Sequence, residues 1–388
     1  MDRIDSIAAR LTPELVALRK TLHQHPELAF EEHETAKAVG AFLGKLKIPF
    51  KSGIGKTGIV AVLEGAKPGR TIGIRADMDA LPIHEQTGLA FASKVPGKMH
   101  ACGHDVHTVI ALGVAAALSE MRSELRGKIK FIFQPAEETL SGARAMIADG
   151  ALDDPKVDLI LGYHNWPAVV AGKVGYNAGA VMAAADAFDI TLKGRDGHGA
   201  HPHLAVDTLA AAAQLVAQLQ TIVSREVKPT SSAVLTIGEL HAGRARNIIA
   251  GSAELKGICR TLEPGLSEKM EAAVRRMLEG IKAGMRVDYT LDWKRMAPPL
   301  RNDKDVLDSL LTSARAALGE ENVLQLPEPS MGSEDFAWFA EELPAAHLRI
   351  GSKIDGLETA IHRSNYDCNE LAIPVGVRVL ARAALDLA

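Results

Sequence analysis

The sequence predicts an α/β protein: a mainly parallel sheet covered by helices, interrupted by a small inserted α+β domain of ferredoxin-like order. Three observations predict it. Short β-rich runs alternate with helical patterns through the first part of the chain. A middle stretch orders its runs β-α-β-β-α-β, and a Pro-Pro connection then precedes a return of helix and strand patterns. At 388 residues the chain is long for one core and suits two domains. The expected boundaries are 1–178 with 296–388 for a discontinuous main domain, and 179–295 for the insertion.

The elements follow in order. "MDRIDSIAARLTPELVALRKTLHQHPEL" spaces apolar and charged residues as an amphipathic helix does and lacks a signal-peptide core. The strand patterns "GIVAVLEG", "TIGIRADMDA", "KIKFIFQPAEE" and "VDLILGYHNWP" come next, with helical patterns "DVHTVIALGVAAALSEMRSEL" and "SGARAMIADGAL" between them. Strands alternating with helices indicate parallel strands covered on both faces. In the middle, "AFDITLKG" is a strand and "VDTLAAAAQLVAQLQTIV" a helix. The strands "SAVLTIGEL" and "SAELKGICRTL" follow, then the helix "LSEKMEAAVRRMLEGIKAG" and the strand "RVDYTLDWK". That order is the split unit that closes as a domain of its own. The segment "MAPPL" marks the connection out of it.

Composition narrows the function. A net charge of −4 offers no basic excess for nucleic acid, and aromatics at 4% give little for base stacking. No apolar stretch is long enough to cross a bilayer. Three cysteines, Cys102, Cys259 and Cys368, are too few and odd in number for a disulfide framework. The expectation is a reduced, cytoplasmic enzyme or binding protein that acts on a small molecule.

The polar residues are sorted by position. Asp77 and Asp79 follow the strand "TIGI", Glu137 and Glu138 follow "KIKFIF", and His164 follows "DLILGY". Cys102 and His104 in "MHACGHDVHT" stand just before a helix. Parallel α/β sheets bind ligands at the carboxyl ends of their strands, so several loops deliver these groups to one rim. Each alone has a plain explanation: a solvated acid pair, a loop histidine, a small buried thiol. Together, Cys, His, Glu and Asp are the donors divalent transition metals accept. Adjacent glutamates allow one to be a ligand and the other a proton-transfer base for an attacking water. A cysteine nucleophile, Cys102 paired with His104 or His107, is a competing enzyme reading, though it leaves Glu137, Glu138, His164 and His362 unexplained. A non-catalytic metal-binding protein is a third.

The motifs "RADMDALP", "MHACGHDVHT", "QPAEE", "GYHNWP", "GHGAHPH", "MGSEDFAWF" and "IHRSNYD" resemble, in order, those of a family of amidohydrolases. That family includes hippurate hydrolase, N-acetyl amino acid deacetylases and plant auxin-conjugate hydrolases, within the aminoacylase-like metallopeptidases related to carboxypeptidase G. The resemblance covers nearly the whole chain. It implies a di-metal catalytic domain with an inserted lid or dimerisation domain, and a homodimer or higher homo-oligomer formed through that domain. By motif it implies Cys102, His104, Glu138, His164 and His362 as metal ligands, Glu137 as general base, and Asp79 as a group orienting a ligand. It also implies that His198 reaches the site from the partner subunit's lid, with Asn247 and Arg260 holding the substrate carboxylate. Two divalent ions per chain are expected, zinc or manganese first, with cobalt and nickel also suited to the donors.

Three positions depart from the family pattern. The usual "NVIP" reads "NIIA" at Asn247 to Ala250, which is expected to bend that strand differently. His201 stands where an apolar or small residue is usual, and Cys368 replaces an aromatic beyond "YD". None is an expected ligand. The reaction expected is hydrolysis of an N-acyl amino acid, of hippurate or N-acetyl type, to a carboxylic acid and a free amino acid. A dipeptidase, or a deacetylase of an N-acylated biosynthetic intermediate, is the alternative on the same fold.

Overall fold

A computed structural model describes residues 3–388. The chain divides into two compact units, the first formed by residues up to Val181 with Arg301–Pro329 and Asp335–Ala388, the second by Met182–Leu300 with Ser330–Glu334.

The first unit is built on an eight-stranded sheet. Its order is Phe50–Ile54, Gly58–Glu64, Arg126–Gln134, Lys67–Asp77, Leu159–Val170, Ala345–Lys353, Val174–Tyr176 and Val323–Gln325. The four central strands, from Arg126–Gln134 to Ala345–Lys353, run parallel. They are buried on both faces, as their continuous Val, Ile, Leu and Phe runs require. One edge is an antiparallel hairpin of Phe50–Ile54 with Gly58–Glu64; the second strand was read from "GIVAVLEG", the first was not. Helix His104–Glu120 is buried on all sides through Leu118, its first turns polar at His104, Asp105, His107 and Thr108 and its run from Val109 to Leu118 apolar all round. It packs against the helices Arg3–Gln24 and Ala372–Leu387 and against the sheet. A Cβ added at Gly113 would lie 2.5 Å from Val377 and 2.7 Å from Leu15, so glycine sets how closely those helices approach.

The second unit is a four-stranded antiparallel sheet in the order Ala233–Ala242, Ser252–Thr261, Ala184–Lys193, Asp288–Ala297. With helices Thr208–Thr221 and Leu266–Met285 this is the β-α-β-β-α-β unit read from the sequence. Inward-facing Phe188, Ile190 and Leu192 meet Ala211, Leu215 and Leu219 of one helix and Val274 and Leu278 of the other. Asp207 caps the first helix, its carboxylate accepting the backbone N–H groups of Leu209 and Ala210 at 3.0 Å. That helix continues into a π-turn at Ile222–Glu226, which its sequence pattern did not show.

Candidate active site

The site grows from the carboxyl ends of the central strands. Lys67–Asp77 ends at Asp77 and leads to Asp79, and Arg126–Gln134 leads to Glu137 and Glu138. His164 does not follow its strand, as the sequence suggested, but lies inside it at the sixth of twelve residues. The ladder with Lys67–Asp77 stops at Leu161, while the ladder with Ala345–Lys353 continues past His164. His164 is thus freed on one side and still held on the other. His104 opens its helix, and His362 stands on the loop after Ala345–Lys353 with φ +65.

Six of the residues expected at the site come together. Sγ of Cys102 is 3.3 Å from Nε2 of His164, and Nε2 of His362 is 3.3 Å from Oε2 of Glu138. Nε2 of His104 is 3.8 Å from Oε1 of Glu138 and 4.0 Å from Oε2 of Glu137. Among the described residues, three groups drawn from these six have ligand atoms within 4.8 Å of one another: Cys102, His104 and His164; Cys102, Glu138 and His362; and His104, Glu137 and Glu138. Cys102 is common to the first two.

Around them lies a set of orienting hydrogen bonds. The Asp79 carboxylate accepts the backbone N–H groups of Glu137 and Glu138, each at 3.0 Å, and is 3.3 Å from Nδ1 of His104. One acid therefore fixes three of the cluster residues. The backbone N–H of Asp335 points to Oε1 of Glu137 at 3.3 Å. Asp335 itself is anchored by Arg75 at 2.9 Å and Gln134 at 2.7 Å. Nδ1 of His164 donates to the carbonyl of Asn165 at 2.6 Å, which leaves its Nε2 lone pair facing Cys102.

Asn165 and Tyr366 were not identified from sequence as part of the site, and His107 only as a partner for a cysteine nucleophile. The Asn165 amide donates to the carbonyl of Cys102 at 2.8 Å and lies 2.9 Å from Nε2 of His107, and its oxygen accepts the Tyr366 hydroxyl. The Asn165 backbone N–H also donates to Nε2 of His107 at 2.8 Å, so the His107 proton sits on Nδ1 and bonds Asp77 at 2.5 Å. The available signal was the recurrence of histidine at 104 and 107, spaced to share one face of a helix.

The cluster fits a divalent cation. Nε2 of His104 and Oε1 of Glu138 are buried without hydrogen-bond partners and face each other across 3.8 Å. That gap is too wide for a hydrogen bond. It leaves each atom free to bond a cation at about 2 Å. The electrostatics agree. Burial opposes charge on His104, yet the Asp77, Asp79 and Glu138 carboxylates raise its pKa to about 10. Burial raises Glu138 to about 7, against the pull of His104. Burial also pushes the Cys102 thiol well above its ordinary range, helped by Glu138, Glu137 and Asp77. A catalytic thiolate needs the opposite shift, so the surroundings of Cys102 weigh against a cysteine nucleophile. A bound cation would replace these protons, because metal ligands bind deprotonated.

The other three expected residues lie in the second unit. His198 is exposed on Gly197–His198, a short strand paired with Ile248–Ile249. Its Nδ1 accepts the backbone N–H of Ala200 at 3.1 Å, and its ring stands 5.3 Å from that of His201. Asn247 is exposed, its carbonyl accepting the backbone N–H of Gly199 at 2.8 Å. Arg260 is half-buried and donates to the Ser333 hydroxyl. Cys368 is buried in the first unit, with its sulfur 3.7 Å from Nη2 of Arg19.

Comparison with known proteins adds independent findings. The model of peptidase family M20/M25/M40 matches residues 73–386. The N-acetylcysteine deacetylase of Bacillus subtilis is 39% identical, covering 96% of this chain and 96% of that protein. The hippurate hydrolase of Campylobacter jejuni is 37% identical, covering 96% of this chain and 94% of that protein. Among solved structures, a dinuclear metal-binding peptidase of the M20 family from Bacillus subtilis aligns with a TM-score of 0.84 at 36% identity, covering 97% of this chain and 98% of that one.

Proposed function

This chain belongs to peptidase family M20/M25/M40 and is a metal-dependent hydrolase of its amidohydrolase type, and from that membership we propose that it cleaves the amide bond of N-acyl amino acids. The products are a carboxylic acid and the free amino acid. The observation that carries the reading is the sharing of Cys102 between two metal-competent triads, one with His104 and His164, the other with Glu138 and His362. In this reading the five residues would hold two divalent ions, zinc or manganese first among the candidates, with Cys102 common to both sets of ligands. Ions held there would act as Lewis acids, polarising an amide carbonyl and acidifying water.

The chain's own residues supply the rest. Glu137 is nearly buried, and its carboxylate is fixed by the Asp335 N–H beside Glu138. It takes a proton from the attacking water and returns it to the departing nitrogen as the C–N bond breaks. Asp79 holds His104 and the backbone of both glutamates in register for that transfer. In the second unit, which this reading makes the lid, His198 is the donor to the developing oxyanion and is supplied by the other copy of a homodimer. Asn247 and Arg260 bind the substrate's α-carboxylate, arginine matching it with two parallel N–H groups. No helix among the described residues is long and apolar enough to cross a membrane. The three free, buried cysteines accord with the reducing cytoplasm as the working compartment.

The test is turnover by the purified protein of a panel of acetyl, benzoyl and longer N-acyl amino acids, with each metal added back after chelation. Metal-dependent release of the free amino acid supports the reading. Cleavage of unblocked dipeptides alone would replace it with a dipeptidase.

A further inference from the structure

Arg349 lies across the parallel ladder from His164 as its register partner. It is only 4% exposed, yet its guanidinium has no carboxylate partner among the described residues. Of its five N–H donors, one bonds the Val181 carbonyl at 3.2 Å, while the buried Nε has no partner. Its Cζ stands 3.9 Å from the centre of the Trp166 ring, and that ring is 5.8 Å from the His164 ring. Register partners on parallel strands share a face, as do residues two apart on one strand. Arg349, His164 and Trp166 therefore line the same side of the sheet, the half-buried indole touching the guanidinium and standing near a proposed metal ligand.

A buried cation without an anion is costly, and a cation–π contact offsets only part of its desolvation. Burial alone lowers the Arg349 pKa, to about 10, so the group remains charged at neutral pH. The other buried arginines do have acids: Arg19 pairs with Asp105, and Arg75 with Asp77 and Asp335. Arg349 is the exception, and it stands beside the cluster where the amide is cleaved.

We propose that Arg349, backed by the face of Trp166, is an anion subsite of the catalytic unit and pairs with a carboxylate of the substrate. The planar fork suits a carboxylate bound bidentately. This deepens the amidohydrolase reading and rests on it. With Arg260 assigned to the α-carboxylate, the group held by Arg349 is a second carboxylate, on an acidic side chain or a dicarboxylic acyl group, and the α-carboxylate itself only if Arg260 does not take it.

Matched substrate pairs separate these sources. They are N-acetylalanine with its amide, N-acetylglutamate with N-acetylglutamine, and N-succinylalanine with N-butyrylalanine. Arg349→Met should lower kcat/KM for the carboxylate member of at least one pair by roughly 10- to 100-fold, mainly through KM. The neutral member should change little, and Arg349→Lys, which keeps charge without the fork, should fall between. Unchanged ratios in all three pairs would overturn the proposal. A binding readout covers the case in which Arg349→Met does not fold. Titrating wild-type, metal-free protein with succinate should change tryptophan fluorescence saturably, whereas succinamide should not, and the change should vanish in Trp166→Phe. No saturable change, or the same change in Trp166→Phe, would also overturn it. If wild-type protein hydrolyses no N-acyl substrate, the amidohydrolase reading fails, and the fluorescence titration still decides the subsite.

Discussion

Replacing Gly103 with alanine should damage the candidate metal site from behind. Gly103 is left-handed, with φ +86, in the residue between Cys102 and His104. A Cβ there would lie 2.0 Å from Nδ2 of Asn165 and 2.6 Å from the Tyr366 hydroxyl oxygen. The left-handed backbone itself costs a residue with a side chain about 1–2 kcal/mol. Asn165 must also move, which frees the buried carbonyl of Cys102 at a cost of about 1–3 kcal/mol. The sum, about 2–5 kcal/mol, is a large share of an ordinary domain's stability. Urea unfolding of the metal-free wild type and variant measures it, read as a shift in midpoint at constant slope. Because the Asn165 carbonyl also holds Nδ1 of His164, metal content after gel filtration should fall as well. A variant within about 0.5 kcal/mol of wild type, with full metal, would refute the claim that Asn165 is wedged against Gly103 to hold the site.

Glu137→Gln should keep its metal and its fold while losing roughly 10²–10⁴ in kcat, the usual worth of a general base; near wild-type turnover would assign the base elsewhere. His198→Ala and Glu137→Gln chains, each inactive, should regain activity when mixed and allowed to exchange subunits, and failure after verified exchange would remove the shared site. A pH effect should come from His23. Burial opposes its charge, but hydrogen bonds to Asp105 and Glu85 hold its pKa at about 9, against 6.5 in the unfolded chain. The stabilisation is complete below about pH 6.5 and is lost as pH rises through about 9, up to about 3 kcal/mol. The unfolding midpoint of metal-free protein should fall over that window, and a His23→Gln variant should show a flatter profile.

Much of this architecture is legible in the chain because local pattern and tertiary demand agree. The alternation in "AFDITLKG" and the apolar stripe of "LSEKMEAAVRRMLEGIKAG" leave few alternatives to an antiparallel sheet under helices. That Asp77, Asp79, Glu137 and Glu138 share a rim follows from strand ends, since a parallel sheet gathers them. Other features depend on contacts far apart in sequence. His164 sits within a strand because Ala345–Lys353, nearly two hundred residues later, extends the ladder beyond it. The exposed run "FKSGI" has no apolar face to mark it as a strand, and pairing with Gly58–Glu64 makes it one. Asn165 and Arg349 read as polar interruptions in apolar strands, and only the packing around them gives them partners or denies them.

We propose that Cys102 serves two metal ions at once, and metal stoichiometry after equilibrium dialysis reads this out. Wild-type protein should bind two divalent ions per chain. Cys102→Ala should weaken both sites together and abolish hydrolysis of N-acyl amino acids, because the thiol belongs to both triads. His164→Ala and His362→Ala should each weaken one site and spare the other. A Cys102→Ala protein that still holds two ions as tightly as wild type would contradict the account.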